Sequence, residues 1–138
     1  MSAIVIDSSV ALAWCFDDEA SDATDRLLDR VGDEGAIVPT LWHLELANVL
    51  LKASKRGRVT SDEIRSRLAL FDKLAIEIDI ETTAYAWIDI LSLAQTEGLT
   101  TYDAAYLELA LRRGADLFTK DAALAEAARR RGVRVYPS

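Results

Sequence analysis

Four carboxylates, Asp7, Glu45, Asp103 and Asp121, occupy positions from which an α/β chain could bring them to one place. Several carboxylates close together repel, and protein surroundings raise that cost by removing the screening that water supplies. Helix starts near Glu45, Asp103 and Asp121 would offer partial positive charge, too little for four formal negatives. No lysine or arginine is placed to neutralise all of them, although Lys120 adjoins Asp121. A bound divalent cation is the natural answer. Oxygen ligands favour magnesium or manganese, whereas zinc draws on cysteine and histidine, and the chain's one His (His43) and one Cys (Cys15) exclude a structural zinc cluster on ligand count. Magnesium keeps several waters and binds phosphate oxygens, which points to phosphate-ester chemistry.

The elements that must position these acids can be read from periodicity. Short β-branched runs alternate with stretches of helical period, the mark of an α/β fold with a mostly parallel sheet. Five strands are expected, at Ala3-Ile4-Val5-Ile6, Ala36-Ile37-Val38, Ile76 to Ile80, Asp116-Leu117-Phe118-Thr119 and Val133-Arg134-Val135-Tyr136. Helices are expected from Ser9 to Phe16, Ala20 to Val31 (with Gly32 and Gly35 at the turn), Leu41 to Gly57, Ser61 to about Lys73, Thr82 to Gln95, Thr100 or Thr101 to Arg113, and Asp121 or Ala122 to Gly132. Thr40 is the expected cap of the third helix, and Thr60 with Glu63 forms a capping box for the fourth.

Ligands of an open parallel sheet bind at the carboxyl ends of its strands, where strand order reverses. Asp7 and Asp121 follow two strands directly. Glu45 lies about a turn into a helix that starts at that edge, and Asp103 opens a helix running antiparallel to the strand it precedes. All four therefore belong on one side. Asp116, five residues before Asp121, falls roughly 16 Å away at ~3.3 Å per residue and reads as a turn residue.

The chain's 138 residues and 51% hydrophobic content suffice for one cored domain spanning 1–138, without crosslinks. No apolar run could span a bilayer, and the first residues lack the basic start and apolar stretch of a signal peptide, so a soluble cytoplasmic protein is expected. The net charge of −7 speaks against a general phosphate-gripping surface. Its distribution weakens that objection. Bases gather in Lys52, Lys55, Arg56, Arg58 and in Arg112, Arg113, Lys120, Arg129, Arg130, Arg131, Arg134, either as basic patches or as solvated helix faces.

Four blocks, Ile4-Val5-Ile6-Asp7-Ser8-Ser9, Pro39-Thr40-Leu41-Trp42-His43-Leu44-Glu45-Leu46-Ala47-Asn48, Leu99-Thr100-Thr101-Tyr102-Asp103-Ala104-Ala105-Tyr106 and Leu117-Phe118-Thr119-Lys120-Asp121, follow the order and context of PIN-domain nucleases. In length and in these blocks the chain resembles a VapC-type toxin, the ribonuclease half of a toxin–antitoxin pair. Each block is weak by itself. Four in order over nearly the whole chain are specific. The resemblance implies a metal-dependent endoribonuclease in which Asp7, Glu45, Asp103 and Asp121 form the acidic pocket around one or two Mg²⁺ or Mn²⁺ ions. Asp7 and Asp103 are then the first choices for direct ligands, with Glu45 and Asp121 binding directly or through water and one of them orienting the attacking water. It also implies an RNA substrate, a homodimer, and a small VapB-type antitoxin whose one segment covers the crevice and whose other end binds DNA.

Around these acids, Thr119 matches the family pattern and could hold a carboxylate or a metal-bound water. Ser8 could bond Asp7 or cap the first helix, and Asn48, a turn after Glu45, could orient it or stay solvated. His43 could act as a general acid or base but lies on another helix face from Glu45. Trp14, Trp42 and Trp87 fit core or dimer packing better than base stacking, and Cys15 fits packing.

Other readings meet the same residues. A phosphatase with an aspartate nucleophile would place a second aspartate where Ser9 stands. A receiver domain would pair acids near the first strand. A PIN-like module kept only for RNA or protein binding would gain nothing from the repulsion of four retained acids, and a processing nuclease without an antitoxin shares every residue above.

Overall fold

A computed structural model describes residues 3–137; Met1 and Ser2, on which the reading of the leading residues partly rests, lie outside it. Strands β1 (Ile4–Ile6), β2 (Ala36–Pro39), β3 (Ile76–Asp79), β4 (Asp116–Phe118) and β5 (Val135–Tyr136) form one sheet in the order β3-β2-β1-β4-β5, every pair parallel. β1 is buried at every position, as are β2 and β4, because helices cover both faces. The chain runs outward through β1, β2 and β3, then returns to place β4 on the other side of β1. That reversal opens a crevice beyond the carboxyl ends of β1 and β4.

Helices α1 (Ser8–Cys15), α2 (Asp22–Glu34), α3 (Trp42–Lys55) and α4 (Ser61–Phe71) occupy the first half; α5 (Thr82–Tyr85), α6 (Leu91–Glu97), α7 (Thr101–Arg113) and α8 (Ala122–Arg130) follow. Their ends depart from expectation where local chemistry was misread. The second helix begins at Asp22 because Ser21 and Thr24 form a capping box, and it continues through Gly32 to Glu34. Gly35 alone makes the turn. It adopts φ 76°, and a Cβ there would meet the Ala75 carbonyl oxygen at 2.8 Å, so only glycine fits where β2 starts beside β3. Thr40 does not cap α3: the cap position is Leu41, already in a helical conformation and without a side-chain bond. The Thr60–Glu63 capping box is present, and Thr100 caps α7 through the Asp103 amide.

The long helix expected from Thr82 is interrupted by a π turn at Ala86–Ile90. Ile90 and Ala94 pack on Ala104 and Ala105 of α7, while Trp87 and Ile88 are left exposed. α7 lies against the sheet with Ala104 to Ala110 all buried, which fixes where its first turn, and hence Asp103, meets the sheet edge. Trp42 is a core residue, 2% exposed and edge-on to Phe71, and Trp14 is tied to the Thr24 carbonyl; neither is free to stack on a base. No helix among the described residues is long and apolar enough to cross a membrane.

Asp116 is not a turn residue. It is the first residue of β4, 5% exposed, paired with Arg30 and Arg134 at the amino edge of the sheet. Its distance from Asp121 is visible in the sequence, but the two arginines that long-range packing brings to it are not.

Candidate acidic site

Asp7 leaves β1 and caps α1. Its backbone amide donates to the Phe118 carbonyl at 3.1 Å, locking the end of β1 to the end of β4. Its carboxylate is 4% exposed and fully directed. Oδ1 accepts from the Ser9 amide at 3.0 Å, the Val10 amide at 3.3 Å and the Ser9 hydroxyl at 2.6 Å; Oδ2 accepts from the Thr119 hydroxyl at 2.5 Å. Ser9, rather than Ser8, supplies the hydroxyl. Both follow Asp7 closely, but the helical turn aims the second one back at the cap.

Those two hydroxyls also hold the segment after β4. The Asp121 amide donates to Thr119 Oγ1 at 3.0 Å and the Lys120 amide to Ser9 Oγ at 2.8 Å. Asp121 caps α8 through Leu124 at 3.3 Å. Glu45, in the first turn of α3, accepts a 2.5 Å hydrogen bond from the Tyr106 hydroxyl of α7. Tyr106 is 1% exposed and follows Asp103 by three residues on the same helix face. That spacing was available in the sequence, but an aromatic at a helical interval reads as core until its hydroxyl is seen to reach Glu45. Asn48 is exposed and makes no hydrogen bond to Glu45, so Tyr106 has the role considered for it.

The electrostatics tie the acids together. Burial pushes the Asp7 carboxyl above its ordinary range, against the pull of its hydrogen bonds. Burial also raises Glu45, with the charges of Asp103 and Asp7 adding to the rise, and raises Asp103, with Asp121 adding to it. The Tyr106 hydroxyl is driven far above its normal value by burial and by Glu45, so it donates at any physiological pH. Glu45 thus feels the charges of Asp103 and Asp7, and Asp103 that of Asp121; among the described residues no arginine or lysine pairs with these acids.

The residues present fit a divalent cation. Their donors are all oxygens, their charge is uncompensated, and Asp7 is oriented by four donors rather than by a cation. Among the described residues, no three Asp, Glu, His or Cys side chains stand close enough together to hold a metal ion by themselves. An ion that retains waters and contacts few protein oxygens directly suits such an open arrangement.

The expected basic patches fare unevenly. Arg112 is half-buried and pairs with Asp79, Glu81 and Glu108; Arg113 pairs with Glu77, Arg130 and Arg131 with Glu97, and Arg58 with Asp18 and Glu19. Sequence counts charges but not partners, and these arginines are committed to acids. Lys52, Lys55, Arg56, Lys120 and Arg129 form no ion pair within the described structure. His43 is exposed and edge-on to Trp42, a helix face away from Glu45.

Tyr106→Phe would remove the hydroxyl that fixes Glu45 while keeping the ring. A net loss of about 1 kcal/mol in stability is expected for one hydrogen bond, with a larger, roughly tenfold, weakening of Mn²⁺ binding measured by calorimetry. Unchanged metal affinity would mean that Glu45 does not depend on Tyr106 for its orientation.

An acid cluster at the reversal of an all-parallel five-stranded sheet agrees with what family comparison finds: the PIN domain model matches residues 4–130, and the chain belongs to the PIN domain family. It is similar to Ribonuclease VapC3 of Pyrobaculum aerophilum, with 31% identity over 114 residues, covering 83% of this chain and 86% of that protein. Among solved structures, PAE2754 from Pyrobaculum aerophilum superimposes with a TM-score of 0.71 at 23% identity, over 97% of this chain and 83% of that one. FitAcB from Neisseria gonorrhoeae superimposes with a TM-score of 0.59 at 18% identity, over 96% of each chain. At those identities the structural matches speak for the fold alone.

Proposed function

We propose that the whole chain is one PIN domain acting as a VapC-type, metal-dependent endoribonuclease that hydrolyses RNA phosphodiesters in the cytoplasm and is silenced by a cognate VapB-type antitoxin. The observation that carries the reading is the set of mutually repelling, partly buried carboxylates with no cationic side chain among them. The relative named Ribonuclease VapC3 supports RNA as the substrate.

Asp7 and Asp103 would hold Mg²⁺ or Mn²⁺, with Glu45 and Asp121 completing the site directly or through water. Such an ion supplies Lewis acidity at the phosphate, a lowered pKa for water and charge neutralisation at the leaving oxygen. The chain's own residues do the rest. Thr119 and Ser9 keep the Asp7 oxygens from rotating, Tyr106 presents Glu45 with one oxygen committed, and the α8 cap keeps Asp121 at the crevice mouth. A carboxylate not committed to the ion can accept the proton of an attacking water. Ile80, Trp87, Ile88 and Leu91 are exposed, and as one patch they would offer an apolar face for pairing with a second copy.

The test incubates purified protein, freed of any copurifying partner, with total cellular RNA in Mg²⁺ or Mn²⁺, with a chelator control. Discrete cleavage that needs the metal and is suppressed by a cognate antitoxin is the expected result. No cleavage under any metal would leave a binding module as the better account.

A further inference from the structure

The unpaired cations of α3 share a side of the helix with the acid at its start. Relative to Glu45, Lys52 is seven residues on, so at 100° per residue it lies within roughly 20° of it and about 10.5 Å along the axis, and Arg56, eleven residues on, is the C-cap that closes the same helix about 16.5 Å from Glu45. Asn48 and Lys55 lie on the flank of that line. The core face of α3, through Trp42, Leu46, Leu50 and Ala53, is turned about a quarter of the circumference away. Asn48, Lys52, Lys55 and Arg56 are all exposed. The attraction of basic side chains to a helix C-terminus accounts for their presence in the last turn. It does not account for their lack of acid partners on a chain of net charge −7, where Arg58, two residues beyond Arg56, is held by Asp18 and Glu19.

We infer that the side of α3 running from Glu45 through Lys52 to Arg56 is a track for the RNA strand, on which backbone phosphates flanking the scissile one contact Lys52 and Arg56. The inference rests on the nuclease reading of the acidic crevice and extends it to how the strand is held. An acidic crevice repels a polyanion, and the ion it binds answers only the phosphate at the reaction centre. Flanking phosphates need cations within a few nucleotides, and the α3 line supplies two at increasing distance from Glu45 without crossing an acid of its own helix. Lys120 sits at the crevice itself, and Arg129 stands at the far end of α8, away from this line. The contacts would be to phosphate and carry no base specificity.

The test measures binding of a fluorescein-labelled, unstructured 12-nucleotide RNA by anisotropy, in chelator so that nothing is cut, across a salt series. Metal-dependent cleavage of the same RNA is measured in parallel. For single strands each neutralised phosphate contributes about 0.7 to the slope of log affinity against log salt, so Lys52→Gln with Arg56→Gln should flatten the slope by about 1.4 and weaken binding about tenfold at low salt. Arg129→Gln should leave both unchanged. Both α3 side chains are exposed, so the double variant should melt as the parent does. If the parent cleaves the RNA and the double variant keeps the parental slope, or Arg129→Gln flattens it equally, the α3 track is wrong while the nuclease reading stands. A slope that holds while binding of an acidic protein segment is lost would assign the track to a protein partner instead. A parent that neither binds nor cleaves RNA overturns both.

Discussion

Asp103→Asn and Asp7→Asn should each abolish metal-dependent RNA cleavage, lowering kcat/KM by about 10³ or more, yet leave the metal-free protein at least as stable as the parent. The activity loss follows from the value of a metal ion in charge stabilisation, several kcal/mol, at one factor of ten per 1.36 kcal/mol. The stability result follows from the environment of the acids. Burial raises both groups above their ordinary range, and the charge of Asp121 adds to the rise at Asp103, so the charged forms are disfavoured without a cation. An asparagine at position 7 keeps an oxygen to accept from the Ser9 and Val10 amides, and the Thr119 hydroxyl can rotate to accept from its amide.

Thermal melts in chelator and in Mn²⁺ separate the two effects. In chelator the variants should melt at or above the parent. In Mn²⁺ the parent should gain stability by ligand linkage and the variants should gain little, so the order reverses. Variants that cut within tenfold of the parent would remove these aspartates from the mechanism.

The same burial sets a pH dependence. Asp7, Glu45 and Asp103 have folded pKa values raised above their unfolded ones. Their contribution to stability is present below the unfolded carboxylate range of about 4 and is lost as pH rises through the raised values. Asp79 has the opposite sign: its bond to Arg112 lowers its pKa, so its contribution is present above the ordinary range and lost as pH falls through the depressed value. The metal-free protein should therefore be most stable in mildly acidic solution.

Arg112→Met should cost about 3–5 kcal/mol of folding stability, measured by denaturant unfolding, because it leaves buried charges without a partner. Arg112 bonds Asp79 Oδ2 at 2.7 Å and Glu108 Oε2 at 2.7 Å, and the two carboxylate side chains are 2% and 7% exposed. It also lies over the Tyr85 ring at 4.1 Å. The cluster fastens the end of β3 to α7, the helix that carries Asp103 and Tyr106. Adding Asp79→Asn and Glu108→Gln to Arg112→Met should recover part of the loss, since the orphaned charges are then removed. A loss under about 1 kcal/mol for the single variant would show that water screens the cluster well enough to make the pairing weak.

Much of this was legible before the fold. The five strands were readable because buried parallel strands are short β-branched runs between turn signals, and the four acids sort to one edge because parallel topology sends each strand's end the same way. Element ends were less legible. Thr40 has the chemistry of a cap, but the turn before α3 leaves it unused, and the π turn at Ala86–Ile90 has no residue signature that separates it from ordinary helix.

What the sequence by itself determined is the α/β frame and the edge of the sheet at which each acid falls, since these depend on local periodicity and on rules of chain direction. The tertiary structure alone decided which hydroxyl reaches Asp7, that Tyr106 rather than Asn48 meets Glu45, that Asp116 is an ion-paired strand residue, and which arginines are already held by acids. Each of those is a contact between side chains aimed by packing across different elements, or by the exact course of a helix turn. A hydrogen bond or ion pair forms only within a few tenths of an ångström of its proper distance, and no local pattern fixes the chain to that tolerance.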